Sequence, residues 1–165
     1  MRVYLPGTSN TLIALQGAGV LVPPLTGFAV TPGLREHYLD DDIEELEYAA
    51  SSEAARASLR LIAGDDGAAK RRVVVAADIP DSSVAIRDDL DRGVIRIAIE
   101  VPIAWCASIH CDDADAETTV AIAATLIDAA DLGDADAEEK VDDTEGFELC
   151  WYATQEISEL LTELG

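Results

Sequence analysis

Apolar residues recur at three- and four-residue spacing between Ile43 and Ala63, at Leu46, Ala50, Ala54, Ala57 and Leu61, which predicts a helix with one buried face. Asp40, Asp41 and Asp42 precede it, where the helix macrodipole favours negative charge. A second helix is predicted from Thr118 to about Ala130, capped by the acids at 113–117. Its apolar residues Val120, Ile122, Ala123, Leu126 and Ile127 cover most of its circumference, so it should be deeply packed. Two stretches have the period of a strand instead. The unbroken apolar run Val73–Ala77 suits a central strand covered on both faces or by a helix. Residues Val94 to Val101 alternate, with Ile95, Ile97, Ile99 and Val101 on one side, as a half-buried strand does. Shorter strands are predicted at Val3-Tyr4-Leu5, Phe28-Ala29-Val30 and Ser108-Ile109-His110. A helix begins at Thr8, Ser9 and Asn10 and fades at Gly17 and Gly19. Helical turns are expected around Leu34–Tyr38 and from Pro102 to Trp105. Residues 128–145 read as a solvated loop or loose helix, and a last helix is predicted from Glu148 to Leu164.

These elements predict one domain, residues 1–165, of α+β class. The expected architecture has two layers: a mixed sheet of five or six strands with helices mainly on one face. Asp41-Asp42-Ile43-Glu44-Glu45-Leu46-Glu47-Tyr48-Ala49 resembles Asp142-Asp143-Thr144-Glu145 followed by Glu148-Leu149-Cys150-Trp151-Tyr152-Ala153. One reading is an internal duplication of segments 1–64 and 71–165 in a ferredoxin-like repeat order, with Tyr48 and Tyr152 on equivalent helices. The other is that acidic, alanine-rich helices look alike by chance.

Composition narrows the function classes. With 49% hydrophobic residues the chain can bury a core despite a net charge of −22. Aromatics are only 5%, so aliphatic residues must form most of that core. The charge is uneven: residues 1–96 hold 15 acids and 10 bases, whereas 97–165 hold 18 acids and only Lys140. Such a surface repels nucleic acid and anionic lipid within a Debye length of about 8–10 Å, so neither is expected as a partner. Solubility accounts for the excess of acids; a basic protein partner or divalent cations would also fit it. The longest apolar stretch, Leu12 to Val30, is broken by Gly17, Gly19 and Pro23-Pro24 and is not expected to span a membrane. Met1-Arg2-Val3-Tyr4-Leu5-Pro6 lacks the pattern of an export signal. With three cysteines in no CxxC spacing, reduced thiols in a cytoplasm are expected.

Met1-Arg2-Val3-Tyr4-Leu5-Pro6, the central Arg71-Arg72-Val73-Val74-Val75-Ala76-Ala77-Asp78-Ile79-Pro80 and the final Trp151-Tyr152-Ala153-Thr154-Gln155-Glu156 together resemble an uncharacterised family of actinobacterial proteins. The resemblance covers nearly the whole chain. It implies a cytoplasmic bacterial protein and supplies no activity, cofactor or site.

Candidate chemistry is sparse. His110, Asp112 and Asp113 form the most metal-like cluster, with His37 ahead of its own run of aspartates as a counterpart; together they would suit a divalent ion. Acids at helix starts are equally expected as caps. Cys111 beside His110 is a poor nucleophile pair, since strand neighbours point to opposite faces. Neither a GxSxG elbow nor a phosphate-binding glycine loop is present. Arg71 and Arg72, after Lys70, read as a charged guard before an apolar strand, or as an anion clamp for a partner. Tyr48, Trp151 and Tyr152 read as core anchors or, if exposed, as an interaction surface. The expected function is a non-enzymatic binding or regulatory protein with a protein partner and no required cofactor. The alternative is a small metal-dependent hydrolase using His110, Asp112, Asp113 and His37. A homodimer joined edge to edge through the 94–101 strand is a third arrangement.

Overall fold

The computed structural model describes residues 1–38 and 42–165, so the Asp40 and Asp41 positions of the predicted aspartate run lie outside the described residues. The chain opens with β1 (Arg2–Gly7) and α1 (Ser9–Ala18). Thr8 and Thr11 form a reciprocal capping box at the start of α1, and Gly19 ends the helix in the left-handed conformation, φ 74°. The short β2 (Val20–Leu21), then β3 (Leu25–Ala29), α2 (Pro32–His37) and α3 (Ile43–Ala63) follow. Next come β4 (Val73–Asp78), β5 (Val84–Ile86), β6 (Val94–Ile97), β7 (Val101–Pro102) and β8 (Cys106–Cys111). The chain closes with α4 (Glu117–Asp131), α5 (Ala135–Asp142), β9 (Cys150–Tyr152) and α6 (Ile157–Leu164).

The class is α+β, as read from the sequence. Seven strands form one sheet in the order β5-β6-β3-β1-β4-β8-β9, and every pairing in it is antiparallel; β2 and β7 form a separate ribbon. Alternation along the strands divides the core into two. Val3, Leu5, Val73, Val75, Ile95, Ile97 and Ile109 pack with Leu12 and Leu15 of α1 and Ile157 and Leu160 of α6. On the other face Tyr4, Phe28, Val74, Ala76 and Val94 pack with Ala50, Ala54 and Ala55 of α3. Helices therefore cover both faces, the longer α3 and its neighbours on one and the shorter α1 and α6 on the other. This explains why β4 is apolar at consecutive positions: each of its faces has a helix to meet. Beyond the sheet, Leu59 and Ile62 of α3 pack against Val120, Ala123 and Ile127 of α4, and α5 adds Ala137 and Val141.

Gly27 in the middle of β3 sits where β1 leaves no room for a side chain. A Cβ there would lie 2.7 Å from Leu5 Cδ2 and 2.9 Å from the Tyr4 carbonyl oxygen. Gly27→Ala is expected to lose about 1–3 kcal/mol through overpacking. Urea unfolding measures this, and an unchanged midpoint would mean that β1 and β3 can separate freely.

Several expectations change. The buried face of α3 continues through Ala55, Ser58, Leu59 and Ile62, leaving Leu61 exposed, because α4 packs beside its C-terminal half. The predicted helix 148–164 is instead strand β9, a 3₁₀ turn and α6, because Cys150-Trp151-Tyr152 pair with β8. Tyr48 thus lies on a helix and Tyr152 on a strand, and the two similar segments do not form equivalent elements. The 94–101 stretch divides into β6 and β7, and β6 lies between β5 and β3. The β6 part therefore offers no free edge for a twofold pairing, and β7 pairs with β2.

Candidate functional site

The α3 face of the sheet is only partly covered. The helix crosses β3, β1 and β4, α4 lies beside its C-terminal half, and an opening remains between its N-terminal half and segment 141–149. This opening is a cleft of about 660 Å³. Tyr4, Arg72 and His110 line its floor; Glu44, Glu47, Tyr48, Ser51 and Glu53 form one wall, and Thr144, Glu145, Phe147, Glu148 and Leu149 the other. A shallower hollow shares Glu44, Tyr48, Glu53 and Glu145 with the cleft and extends it to Tyr38.

Each floor residue is fixed by a partner. The Tyr4 hydroxyl donates to Glu47 Oε2 at 3.1 Å. Burial, then the Glu47 carboxylate, pushes its pKa up to about 12. His110 and Ser108 alternate onto the same face of β8, and His110 Nε2 lies 2.9 Å from Ser108 Oγ. Burial, with a smaller contribution from the Arg2 charge, holds the imidazole below its usual pKa, so it is neutral at pH 7. Ser108 itself is buried and does not line the cleft, which leaves it without access as a nucleophile.

Arg72 pins the end of the cleft. Its amide and Nε both donate to Asp112 Oδ2 at 2.8 Å, and Nη2 donates to Asp112 Oδ1 at 2.8 Å and to the Phe147 carbonyl at 2.9 Å. One side chain thereby joins the start of β4, the end of β8 and the 141–149 wall.

The residues singled out from sequence separate into distinct places. Asp112 is fully buried, with both carboxylate oxygens held by Arg72. Asp113 is exposed and caps the 3₁₀ turn before α4, accepting from the Asp115 amide. His37 ends α2, where its Nδ1 contacts Arg92 Nη1 and its ring meets Tyr38 edge-on. It belongs to the β3–β6 end of the sheet, three strands from His110 on β8, so the two histidines do not share a cavity. Among the described residues no group of three His, Cys, Asp or Glu side chains is placed to hold a metal ion. Arg71 and Arg72 are both buried, Arg71 against Glu117 at 2.8 Å, so this basic pair is turned inward and offers no anion clamp on the surface. The charge run reads as surface from sequence because Asp112 and Glu117 lie far along the chain.

The aromatic residues divide usefully. Tyr48 is 63% exposed on one rim of the cleft. Trp151, 62% exposed, stands directly across from His110 on the edge strand β9, and so rises on the same face. Tyr152 alternates to the opposite face and packs against the α1–α6 core. The glutamates of the cleft are not among the residues that the sequence singles out. Their only local signal is the stripe Glu44, Glu47, Tyr48 and Ser51 at helical spacing beside the buried stripe Leu46, Ala50 and Ala54.

An antiparallel sheet covered on both faces, with an acidic cleft opening on one of them, defines an α+β domain with a ligand-sized recess. The chain belongs to a family of unknown function, DUF6912, whose profile matches residues 1–161. No curated protein and no solved structure matches it. Among the described residues no helix is long and apolar enough to cross a membrane.

Proposed function

We propose that this is a non-enzymatic binding or regulatory protein of the bacterial cytoplasm whose cleft receives a basic segment of a protein partner. The observation that carries the reading is a concave site lined by carboxylates without counter-ions. Glu44, Glu53, Glu145 and Glu148 make no ion pair among the described residues. The two arginines that reach the cleft are already engaged, Arg56 with Asp131 and Asp142 and Arg72 with Asp112. The floor adds no positive charge through the neutral His110. Negative potential focused in such a recess attracts a cationic segment and sets its orientation. Tyr48 supplies an exposed ring on the rim and Trp151 another on the same sheet face, across from His110, both suited to Lys or Arg by cation–π contact and to hot-spot packing. The hydrolase alternative gains nothing from Asp112, whose oxygens both face Arg72, or from His37, which lies elsewhere.

A photo-crosslinking residue placed at 48 or 151 should trap a discrete partner in cells, and the trapped peptide should be rich in Lys and Arg. The same residue at Ile13, exposed on the opposite face, should trap none. The variant E44Q/E53Q/E145Q/E148Q should lower capture by about tenfold. D128N/D136N/E138Q/E139Q, which removes the same charge from α4 and α5, should leave it intact. Equal loss in both variants would reduce the effect to net charge, and no adduct at 48 or 151 would remove the cleft as a docking site.

A further inference from the structure

The strand register sets two thiols opposite each other, Cys111 on β8 and Cys150 on β9. The amide of Asp112 turns toward β4, donating to the Arg72 carbonyl at 3.1 Å. By the alternation of an antiparallel ladder, Cys111 therefore turns its own amide and carbonyl toward β9 and forms a hydrogen-bonded pair with Cys150. The Cα atoms of such a pair lie about 5.5 Å apart, within the range of about 4.4–6.8 Å that a disulfide spans. Both side chains rise on the α1–α6 face. Cys111 is buried there in the core cluster, while Cys150 is half-buried on a three-residue edge strand paired on one side only. Cys106 lies at the other end of β8, beyond the reach of the β9 pairing, with its thiol toward the Pro102 carbonyl.

We infer that Cys111 and Cys150 are a redox-modifiable pair that closes into a cross-strand disulfide by exchange with a small-molecule disulfide such as oxidised glutathione. In the first step the Cys150 thiolate attacks one sulfur of glutathione disulfide, forming a mixed disulfide and expelling one glutathione thiolate, which takes up a proton. In the second the Cys111 thiolate attacks Sγ of Cys150 and expels the other glutathione. Two protein thiols are oxidised and one small-molecule disulfide is reduced to two thiols. The bond would fasten the edge strand, and with it Trp151, to β8. Burial pushes the Cys111 thiol up to about 12, with the neighbouring Asp112 and Cys150 adding to it, and Cys150 is raised for the same first reason. Little thiolate is present at neutral pH, so the exchange is slow and quickens as pH rises. Reversible pairs of this kind are the usual form of disulfide in a reducing compartment. The inference is independent of what the cleft binds.

The test treats the folded protein with oxidised glutathione at mildly alkaline pH, blocks remaining thiols after unfolding, and maps the peptides by mass spectrometry. Free thiols should fall from three to one, with a monomeric 111–150 linkage and Cys106 still alkylated. The thermal midpoint should rise by several degrees and return on reduction. Cys150→Ser, at the half-buried position, should abolish the linkage without unfolding the protein, and Cys106→Ser should leave it unchanged. Linkages through Cys106 or between molecules would overturn the inference. So would glutathione that stays on Cys150 unresolved, or three thiols that remain free until the protein unfolds.

Discussion

Asp112→Ala is expected to lower stability by about 3–5 kcal/mol and the thermal midpoint by about 10 °C. The carboxylate is fully buried, and the Arg72 side chain is only 5% exposed. Three donors from Arg72 converge on its two oxygens, and the Asp112 amide returns a bond to the Arg72 carbonyl. Truncation leaves a guanidinium in the interior without its counter-ion, and that uncompensated charge is what makes the effect large. The attraction within the pair is a smaller quantity. The double variant R72M/D112L, which removes both charges and restores volume, should therefore recover more than half of the loss. Urea unfolding of the single and double variants separates the two contributions. A single variant within about 1 kcal/mol of the parent would show that water reaches the site and solvates Arg72. Because Arg72 also holds the Phe147 carbonyl, the single variant should speed amide exchange in the 141–149 wall and weaken the cleft before the sheet is affected.

The contrast between what was legible in the sequence and what was not follows from the range of the interactions involved. The α3 helix was read as Ile43–Ala63 and ends there, because periodicity, the Asp42 cap and the Gly64 stop all lie within the helix or next to it. The unbroken apolar run of β4 marks a central strand, but it fits cover on both faces or by a helix. The expected two layers, with helices mainly on one face, give way to cover on both because α1 and α6 pack on the face opposite α3. Residues 148–164 misled for the reverse of the reason that made α3 legible. Leu149, Ala153, Ile157, Leu160 and Leu164 fit a helical period, yet the pairing of Trp151 with His110 decides the conformation, and pairing over such a separation leaves no local trace. The supposed likeness of Tyr48 and Tyr152 went with it. Tyr48 and Trp151 were recognisable as candidate contact residues from their type alone. The carboxylates around them were not, because Glu145 and Glu148 come to face Glu44 and Glu53 only when the chain after α5 folds back across the sheet.

Ser58→Ala is the second substitution expected to act strongly, with a loss of about 2 kcal/mol despite replacing serine with a better helix former. Ser58 is fully buried in α3, facing the end of the β1–β4 ladder where Gly7 pairs with Val73. Its hydroxyl donates to the Gly7 carbonyl at 2.7 Å and accepts from the Val73 amide at 3.1 Å. Alanine removes both bonds and leaves two buried backbone groups without partners, at about 1–3 kcal/mol for each group left fully dry. The helix gains back only about 0.5 kcal/mol from propensity, so the balance is a clear loss. Ser52→Ala, six residues earlier on the exposed side of the same helix, has the propensity gain without the orphaned groups and should fall within about 0.5 kcal/mol of the parent. Urea unfolding gives both values, and amide exchange at Val73 should accelerate in the Ser58 variant alone. Equal stability of the two variants would mean that a water molecule replaces the hydroxyl, and the junction of α3 with β1 and β4 would then depend on apolar packing alone.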